Sequence, residues 1–221
     1  MKKIFCPDGP VVRFFAKVGS LIVLSFCWLV CCLPVVTVGA STAAMFCVAF
    51  ELKKDACDNV FKHFFKAFAA KFLRGTLCWL AMAVIAGVIY CIPHVAAIFG
   101  MQMVAMAAVG LTTAIGLLWY LVLSCIFSLV AYFETDLRKT IKNAMIVALH
   151  NRRQSIGTAL LLAVPLLVFL IEPMILSYTC GLWLLVFPGV WAYITAKRFE
   201  PIFEEYVIRS KEKEEEKDET L

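Results

Sequence analysis

MVAMAAVGLTTAIGLLWYLVLSCIFSLVAY, residues 103–132, is a stretch of thirty residues without a charged side chain. As an α-helix it would be about 45 Å long, which exceeds the hydrocarbon core of a bilayer at about 30 Å. Lipid offers no hydrogen-bonding partner, so a segment that crosses it must satisfy its own backbone polar groups, as a helix does. The stretch therefore predicts a transmembrane helix within an all-α fold.

The composition of the whole chain carries the same signal. Hydrophobic residues make up 62% of the 221 residues and charged residues 17%, whereas a soluble domain is about half apolar and one quarter charged. A water-soluble fold of this length could not hide so much apolar surface. The apolar runs predict a polytopic transmembrane helix bundle of about six spans, at residues 14–33, 38–52, 75–93, 103–132, 156–172 and 174–195.

Positive charge tests this arrangement. With the N-terminus inside, the cytoplasmic segments 1–17, 51–75, 133–156 and 196–221 contain 4, 6, 5 and 6 Lys plus Arg, which is all 21. The outer loops contain none, as the positive-inside rule predicts. We therefore expect a multi-pass protein of the bacterial inner (plasma) membrane with a cytoplasmic N-terminus and a cytoplasmic C-terminus.

The first two runs leave an alternative open. The run 38–52 is short for a span, and a break precedes it, because Pro34 lacks a backbone donor and Gly39 permits a turn. Two short spans and a re-entrant hairpin over residues 14–52 give the same distribution of charge. The sequence is compatible with both.

The segments between the spans predict amphipathic helices on the cytoplasmic face. Residues 59–74 and 137–149 each place apolar side chains at helical spacing, with basic side chains beside them, which is typical of interfacial helices. The apolar positions are Phe61, Phe64, Phe65, Phe68 and Phe72 in the first segment and Leu137, Ile141, Met145, Ala148 and Leu149 in the second. We expect residues 1–208 to form a single transmembrane domain and residues 209–221 to form a charged, disordered cytoplasmic tail.

Several classes of function are disfavoured. The ten cysteines include no CxxC pair, and no histidine stands at zinc-ligand spacing from a cysteine pair, so no metal or other cofactor is predicted. Basic residues lie between apolar runs, where they suit lipid headgroups, and no base-reading motif argues for nucleic acid. No hydrolase triad, paired-carboxylate site or phosphate-binding loop is present, so we predict no catalytic residue and no enzyme.

Three motifs carry a resemblance to a known family. They are FCPDGP at residues 5–10 followed by Arg13 and Phe14, LPVVTVGASTAA at residues 33–44, and TIKNA at residues 140–144. With these motifs, residues 4–208 resemble the YesL family of bacterial membrane proteins. The resemblance implies a link to carbohydrate uptake by ABC transporters, and it transfers no catalytic residue.

The second motif supplies four candidate functional residues, Thr37, Gly39, Ser41 and Thr42. Small side chains allow helices to approach closely, and hydroxyls can satisfy backbone groups that a helix break sets free. A structural role is the simpler interpretation. The functional alternative is a broken helix whose backbone and hydroxyls face a substrate, as in transporters.

Two further candidates lie at the outer ends of predicted spans. Glu172 precedes Pro173 between the last two spans, and His94 follows Pro93 at the end of the third. Glu172 is a turn residue if it lies among headgroups, whereas inside the bundle it would indicate cation or proton coupling. A pairing of His94 with Glu172 is conceivable, although a lone interfacial histidine is more often structural.

Two functional hypotheses follow. The first is an accessory or scaffold component linked to a carbohydrate ABC transporter, whose cytoplasmic helices dock on a permease or ATPase subunit. The alternative is a self-sufficient transporter or channel for a sugar or an ion, in which Glu172, His94 or the 37–42 region lines a cavity. In both hypotheses the lipid bilayer is the main partner.

Overall fold

The computed structural model describes residues 10–54, 57, 59–98, 102–133, 137–171 and 173–218. Within these ranges the chain forms seven α-helices, one short 3-10 helix and no strand, which confirms the all-α prediction. The α-helices are α1 (Pro10–Cys32), α2 (Val38–Lys53), α3 (Val60–Ile98), α4 (Gln102–Tyr132), α5 (Leu137–His150), α6 (Arg152–Ile171) and α7 (Pro173–Asp218), and the 3-10 helix is Val35–Thr37.

Four helical segments of the described chain are long and apolar enough to cross a bilayer. They are Phe15–Cys32, Val35–Lys53, Val60–Val95 and Val109–Tyr132. Such helices indicate a multi-pass membrane protein. The predicted runs 156–172 and 174–195 fall on α6 and α7, where many side chains lie outside the described part of the chain. The total of about six spans stays a prediction.

The exposed surface of α3 agrees with a lipid environment. Leu73, Val84, Val88 and Tyr90 each leave more than half of their surface uncovered. Contiguous apolar surface of this extent is unusual on a soluble monomer, and acyl chains cover it without cost.

The α1–α2 hairpin breaks where the sequence predicts. Helix α1 ends at Cys32, Pro34 adopts an extended conformation, and Val35–Thr37 form the 3-10 turn that leads into α2. The turn is closed by a hydrogen bond from the Thr37 amide to the Pro34 carbonyl, at 3.0 Å. Both helices are long enough to be spans. Two crossings and a re-entrant hairpin both stay predictions.

Helix α2 is the centre of the bundle. It packs against α1, α3, α4 and α7, and 67% of Val35–Lys53 is buried, against 17% of Phe15–Cys32. All six residues from Gly39 to Ala44 are buried. A helix surrounded in this way needs small side chains where backbones meet, because a dry interior is close-packed.

A close backbone approach joins α2 to α3 at Gly39 and Gly75. A Cβ on Gly39 would overlap the Gly75 carbonyl oxygen and lie 2.5 Å from the Cβ of Trp79, and a Cβ on Gly75 would lie 2.7 Å from the Cα of Ala40. The obstacles are backbone atoms and a Cβ, which cannot rotate away. Only glycine fits at either position without moving a helix.

A second close contact fixes α7 against α1. Pro188 lies inside α7, where its ring disturbs the regular hydrogen bonding of the helix. The amide of the next residue, Gly189, donates to the Ser25 hydroxyl at 2.8 Å, and that hydroxyl donates to the Leu21 carbonyl at 3.0 Å. A serine on the neighbouring helix thus satisfies a backbone donor beside the proline, as the apolar environment requires.

The predicted interfacial helices are not confirmed as such. Residues 60–74 are the first part of the 39-residue helix α3 and do not form a separate helix. Phe64 is fully buried, whereas Phe61, Phe65 and Phe72 are exposed. Tertiary contact with α2 therefore divides the phenylalanine stripe between the bundle interior and its surroundings.

Helix α5 is a separate helix, and the bundle leaves part of its predicted apolar face exposed. Ala144, Val147 and Ala148 are buried, while Met145 and Leu149 are exposed. At the C-terminus, α7 includes residues 209–218 of the segment predicted to be a disordered tail. The division into a domain of residues 1–208 and a tail stays a prediction.

We expect Gly39→Ala and Gly75→Ala each to lower the free energy of unfolding in detergent by about 3 kcal/mol, because overpacking a fixed backbone contact forces the helices apart. Thermal and SDS unfolding of the purified variants would measure the loss. Gly87→Ala is the matched control on α3, because a Cβ there meets nothing within 4 Å. Equal stability of all three variants would contradict the close approach.

Candidate functional site

The hydroxyls of the α1–α2 motif bind groups of their own hairpin. Thr42 accepts a hydrogen bond from the Trp28 indole at 3.1 Å and donates to the Val38 carbonyl at 2.7 Å. Ser41 donates to the Trp28 carbonyl at 3.1 Å. The Thr37 hydroxyl lies 2.6 Å from the Cys31 carbonyl and 2.7 Å from that of Pro34. The bonds from Trp28 and Ser41 link α1 to α2, and the Thr37 hydroxyl lies at the Cys31 and Pro34 carbonyls, whereas the Thr37 side chain makes no capping hydrogen bond to α2.

The other two candidate residues are not brought together by described contacts. His94 is exposed, and its Nδ1 lies 2.9 Å from the Tyr90 carbonyl one turn earlier, with the two rings 4.5 Å apart. Glu172 lies outside the described residues. The suggested pairing of His94 with Glu172 stays a prediction.

An ionic junction joins the end of α2 to α7. Lys53 and Lys54 both pair with Glu200, the second at 3.3 Å, and Lys54 also lies 3.9 Å from Glu204. The Glu200 side chain is 4% exposed, whereas those of Lys53 and Lys54 are 30% and 50% exposed. A buried carboxylate is costly unless paired, and two ammonium groups reach it from the open side.

Aromatic rings surround the junction. Phe50, Tyr132 and Phe203 contact one another with centroids 5.2–6.2 Å apart, and the Lys54 ammonium lies 6.0 Å from the Tyr132 ring centroid. Rings lower the local dielectric and so strengthen the ion pairs.

The charge state of Lys54 follows from these contacts. Its hydrogen bond to Glu200 raises the pKa of Lys54 above the usual lysine value, and partial burial opposes this only in part. The contribution of Lys54 to stability is therefore complete at neutral pH and is lost only in strongly alkaline solution, as pH rises through that elevated pKa.

A seam of buried hydroxyls and one thiol runs between α4 and α6. The Ser128 hydroxyl donates to the Cys125 carbonyl at 2.6 Å, the Cys125 thiol contacts Ser155 at 3.6 Å, and Thr158 donates to the Ser155 carbonyl at 2.9 Å. On α7, the Thr195 hydroxyl and the Trp191 indole nitrogen are buried and have no partner among the described residues. Buried donors of this kind, which also include the Thr76 hydroxyl and the Asn151 amide nitrogen, are available to a polar ligand.

One group of described side chains has the chemistry to hold a metal ion. Glu51, Cys57 and His63 place one ligand atom each within 4.8 Å of one another at the α2–α3 connection. Disulfides play no part there, because none of the eight cysteines with described side chains is in one.

Sequence reasoning did not single out Glu200 or Trp28. Glu200 lies in the predicted cytoplasmic segment 196–221, and only its neighbours Phe199, Ile202 and Phe203 indicate a buried face. Trp28 lies in an apolar run, and its link to Thr42 spans fourteen residues across a turn. The sequence signal for Glu200 is an acidic residue among apolar residues at helical spacing.

Comparison with known proteins gives one match. Residues 21–91, which are 71 of the 221 residues, match the family model described as "Protein of unknown function, DUF624". No curated protein and no solved structure matches the chain. The matched part contains α1 from residue 21, all of α2 and most of α3. It therefore includes the closed hairpin and the Gly39–Gly75 approach.

We expect Glu200→Gln to lower the free energy of unfolding by about 2 kcal/mol, because the variant loses its charge-assisted hydrogen bonds to Lys53 and Lys54. Both lysines are partly exposed, so the loss is smaller than for a fully buried pair. Glu204→Gln, one turn along α7 and 54% exposed, is the matched control and should change little. If the two variants unfold alike in detergent, Glu200 is not the centre of the junction.

Proposed function

We propose that this protein is an integral membrane component of YesL type that acts by binding another membrane protein. Its partner is a permease or ATPase subunit of a carbohydrate ABC transporter, for which it serves as an accessory or scaffold subunit. The proposal places it in the bacterial cell membrane with both termini in the cytoplasm.

The observation that carries the binding role is an apolar groove on α7. Trp183, Val186, Phe187 and Val190 line a cavity of about 300 Å³ with almost no polar surface, and the Trp183 and Phe187 rings are 5.7 Å apart. Aromatic side chains that border a groove are typical anchors at protein interfaces. The groove therefore suits the apolar side chains of another transmembrane helix.

The α1–α2 hairpin supports the same proposal. In the transporter alternative, Thr37, Ser41 and Thr42 would offer their hydroxyls to a substrate. In the structure these hydroxyls are bonded within the hairpin, and Ser41 and Thr42 are buried. A substrate would have to displace these bonds, whereas a scaffold uses them to keep its shape.

The carbohydrate link rests on resemblance. The matched DUF624 domain is the one found in YesL-type proteins, and the family resemblance of residues 4–208 implies a role beside carbohydrate ABC transporters. The confinement of all 21 Lys and Arg residues to four segments supports the proposed orientation. In that orientation, the basic helices would face the side of the membrane on which an ATPase subunit docks.

A photo-crosslinking residue at Val186 should form an adduct with an ABC transporter subunit when native membranes are irradiated, because Val186 lines the proposed groove. Mass spectrometry of the purified adduct identifies the partner. The matched control is the same residue at Val84, an apolar position on α3 that is 67% exposed. Adducts with lipid alone at both positions, together with unchanged carbohydrate uptake after deletion of the gene, would contradict the proposal.

A self-sufficient transporter is the second candidate, and two buried polar atoms of α7 favour it. Thr195 and Trp191 present unused polar atoms in a buried region, which is where a transported solute could bind. In the scaffold proposal the same two atoms are buried polar groups that bind no ligand.

Thr195→Val separates the two roles. If no solute binds at Thr195, the variant should be more stable by about 1 kcal/mol, because it removes a buried group that has no partner. Thr42→Val is the control and should be less stable by about 2 kcal/mol, because the Trp28 indole loses its acceptor. Chemical unfolding measures both changes. Flux of a sugar through liposomes that contain the protein, abolished by Thr195→Val, would favour the transporter.

A further inference from the structure

The α2–α3 connection brings three side chains of different chemistry to one place. Glu51 lies in the last turn of α2, Cys57 lies in the connection, and His63 lies in the first turn of α3. The Glu51 Oε2 is 2.5 Å from the His63 Nδ1, and a carboxylate oxygen, the thiol sulfur and a ring nitrogen all lie within 4.8 Å of one another. All three residues are half-buried.

The helix pair fixes this arrangement. Glu51 lies twelve residues after Gly39, and His63 lies twelve residues before Gly75, so the Glu51–His63 contact has the same antiparallel register as the glycine approach. The glycines hold the backbones of α2 and α3 together twelve residues away. Glu51 and His63 are therefore carried by two packed helices, and Cys57 meets them between these helices.

We propose that Glu51, Cys57 and His63 form a zinc site. Zinc binds thiolate sulfur at about 2.3 Å and imidazole nitrogen or carboxylate oxygen at about 2.0–2.2 Å, so ligand atoms in a tetrahedral site lie about 3.4–3.7 Å apart. Zinc binding therefore requires the Glu51 carboxylate and the His63 ring, 2.5 Å apart, to separate by about 1 Å, and spacings of up to 4.8 Å to close by a similar distance. The mixed sulfur, nitrogen and oxygen set favours zinc over magnesium or calcium, which prefer oxygen ligands alone.

Binding has defined chemical consequences. The Cys57 sulfur coordinates as a thiolate, so its proton passes to solvent, and His63 coordinates through a ring nitrogen that bears no proton. Three protein ligands leave the fourth position to a water molecule. The ion would clamp the end of α2 to the start of α3, next to the ionic junction that Lys53 and Lys54 form with α7.

The test uses the full-length protein in detergent, freed of metal with a chelator and titrated with Zn²⁺ or with Co²⁺. We expect one ion per chain, a thiolate-to-cobalt charge-transfer band in the near ultraviolet, and a rise in melting temperature on addition of zinc. Cys57→Ser should remove the band and weaken zinc binding at least tenfold, and His63→Gln should also weaken it at least tenfold. Addition of zinc should leave the melting temperature of both variants unchanged.

Two matched controls lie at the other end of α3. Cys91 and His94 are both exposed, and Cys91→Ser and His94→Gln should bind zinc like the wild type. The proposal is overturned if the wild type binds no stoichiometric zinc, if its cobalt complex lacks the thiolate band, or if Cys57→Ser and Cys91→Ser have the same effect. The cobalt spectrum of the wild type keeps the test valid even if Cys57→Ser fails to fold.

Discussion

The structure depends on the contact of the α2 backbone with the α3 backbone at Gly39 and Gly75. No side chain separates the helices there, so α2 can sit inside the bundle with α1, α3, α4 and α7 around it. A helix in that position must have small side chains on the face that packs against its closest neighbour. The run of small residues from Gly39 to Ala44, all buried, meets this requirement.

Polar side chains stabilise the close helix packing that the glycines allow. An apolar environment penalises every unpaired donor and acceptor, and the breaks in this fold are accordingly supplied with side-chain partners. Thr37, Ser41 and Thr42 close the break between α1 and α2, and Ser25 supplies an acceptor beside Pro188. The candidate residues at the helix break are thus used to build the bundle.

Charge and metal-binding chemistry lie together at one end of α2. Glu200 receives Lys53 and Lys54 at the contact with α7, and Glu51, Cys57 and His63 meet at the contact with α3. The apolar groove lies elsewhere on α7. The polar contacts that set the positions of the helices are therefore separate from this apolar surface.

The sequence by itself determined that the chain is an all-helical membrane protein and that a break follows Leu33, because hydrophobic runs, Pro34 and Gly39 are local signals. It also indicated that residues 39–44 allow close packing. Only the tertiary structure decided which helix those residues meet, that α2 is central, and that the phenylalanines of 61–72 are divided between interior and surface. Glu200 meets Lys53 across 147 residues, and Glu51, Cys57 and His63 match no compact ligand motif in the sequence. Such contacts depend on how helices pack in three dimensions, and the spacing of residues along one chain does not record that packing.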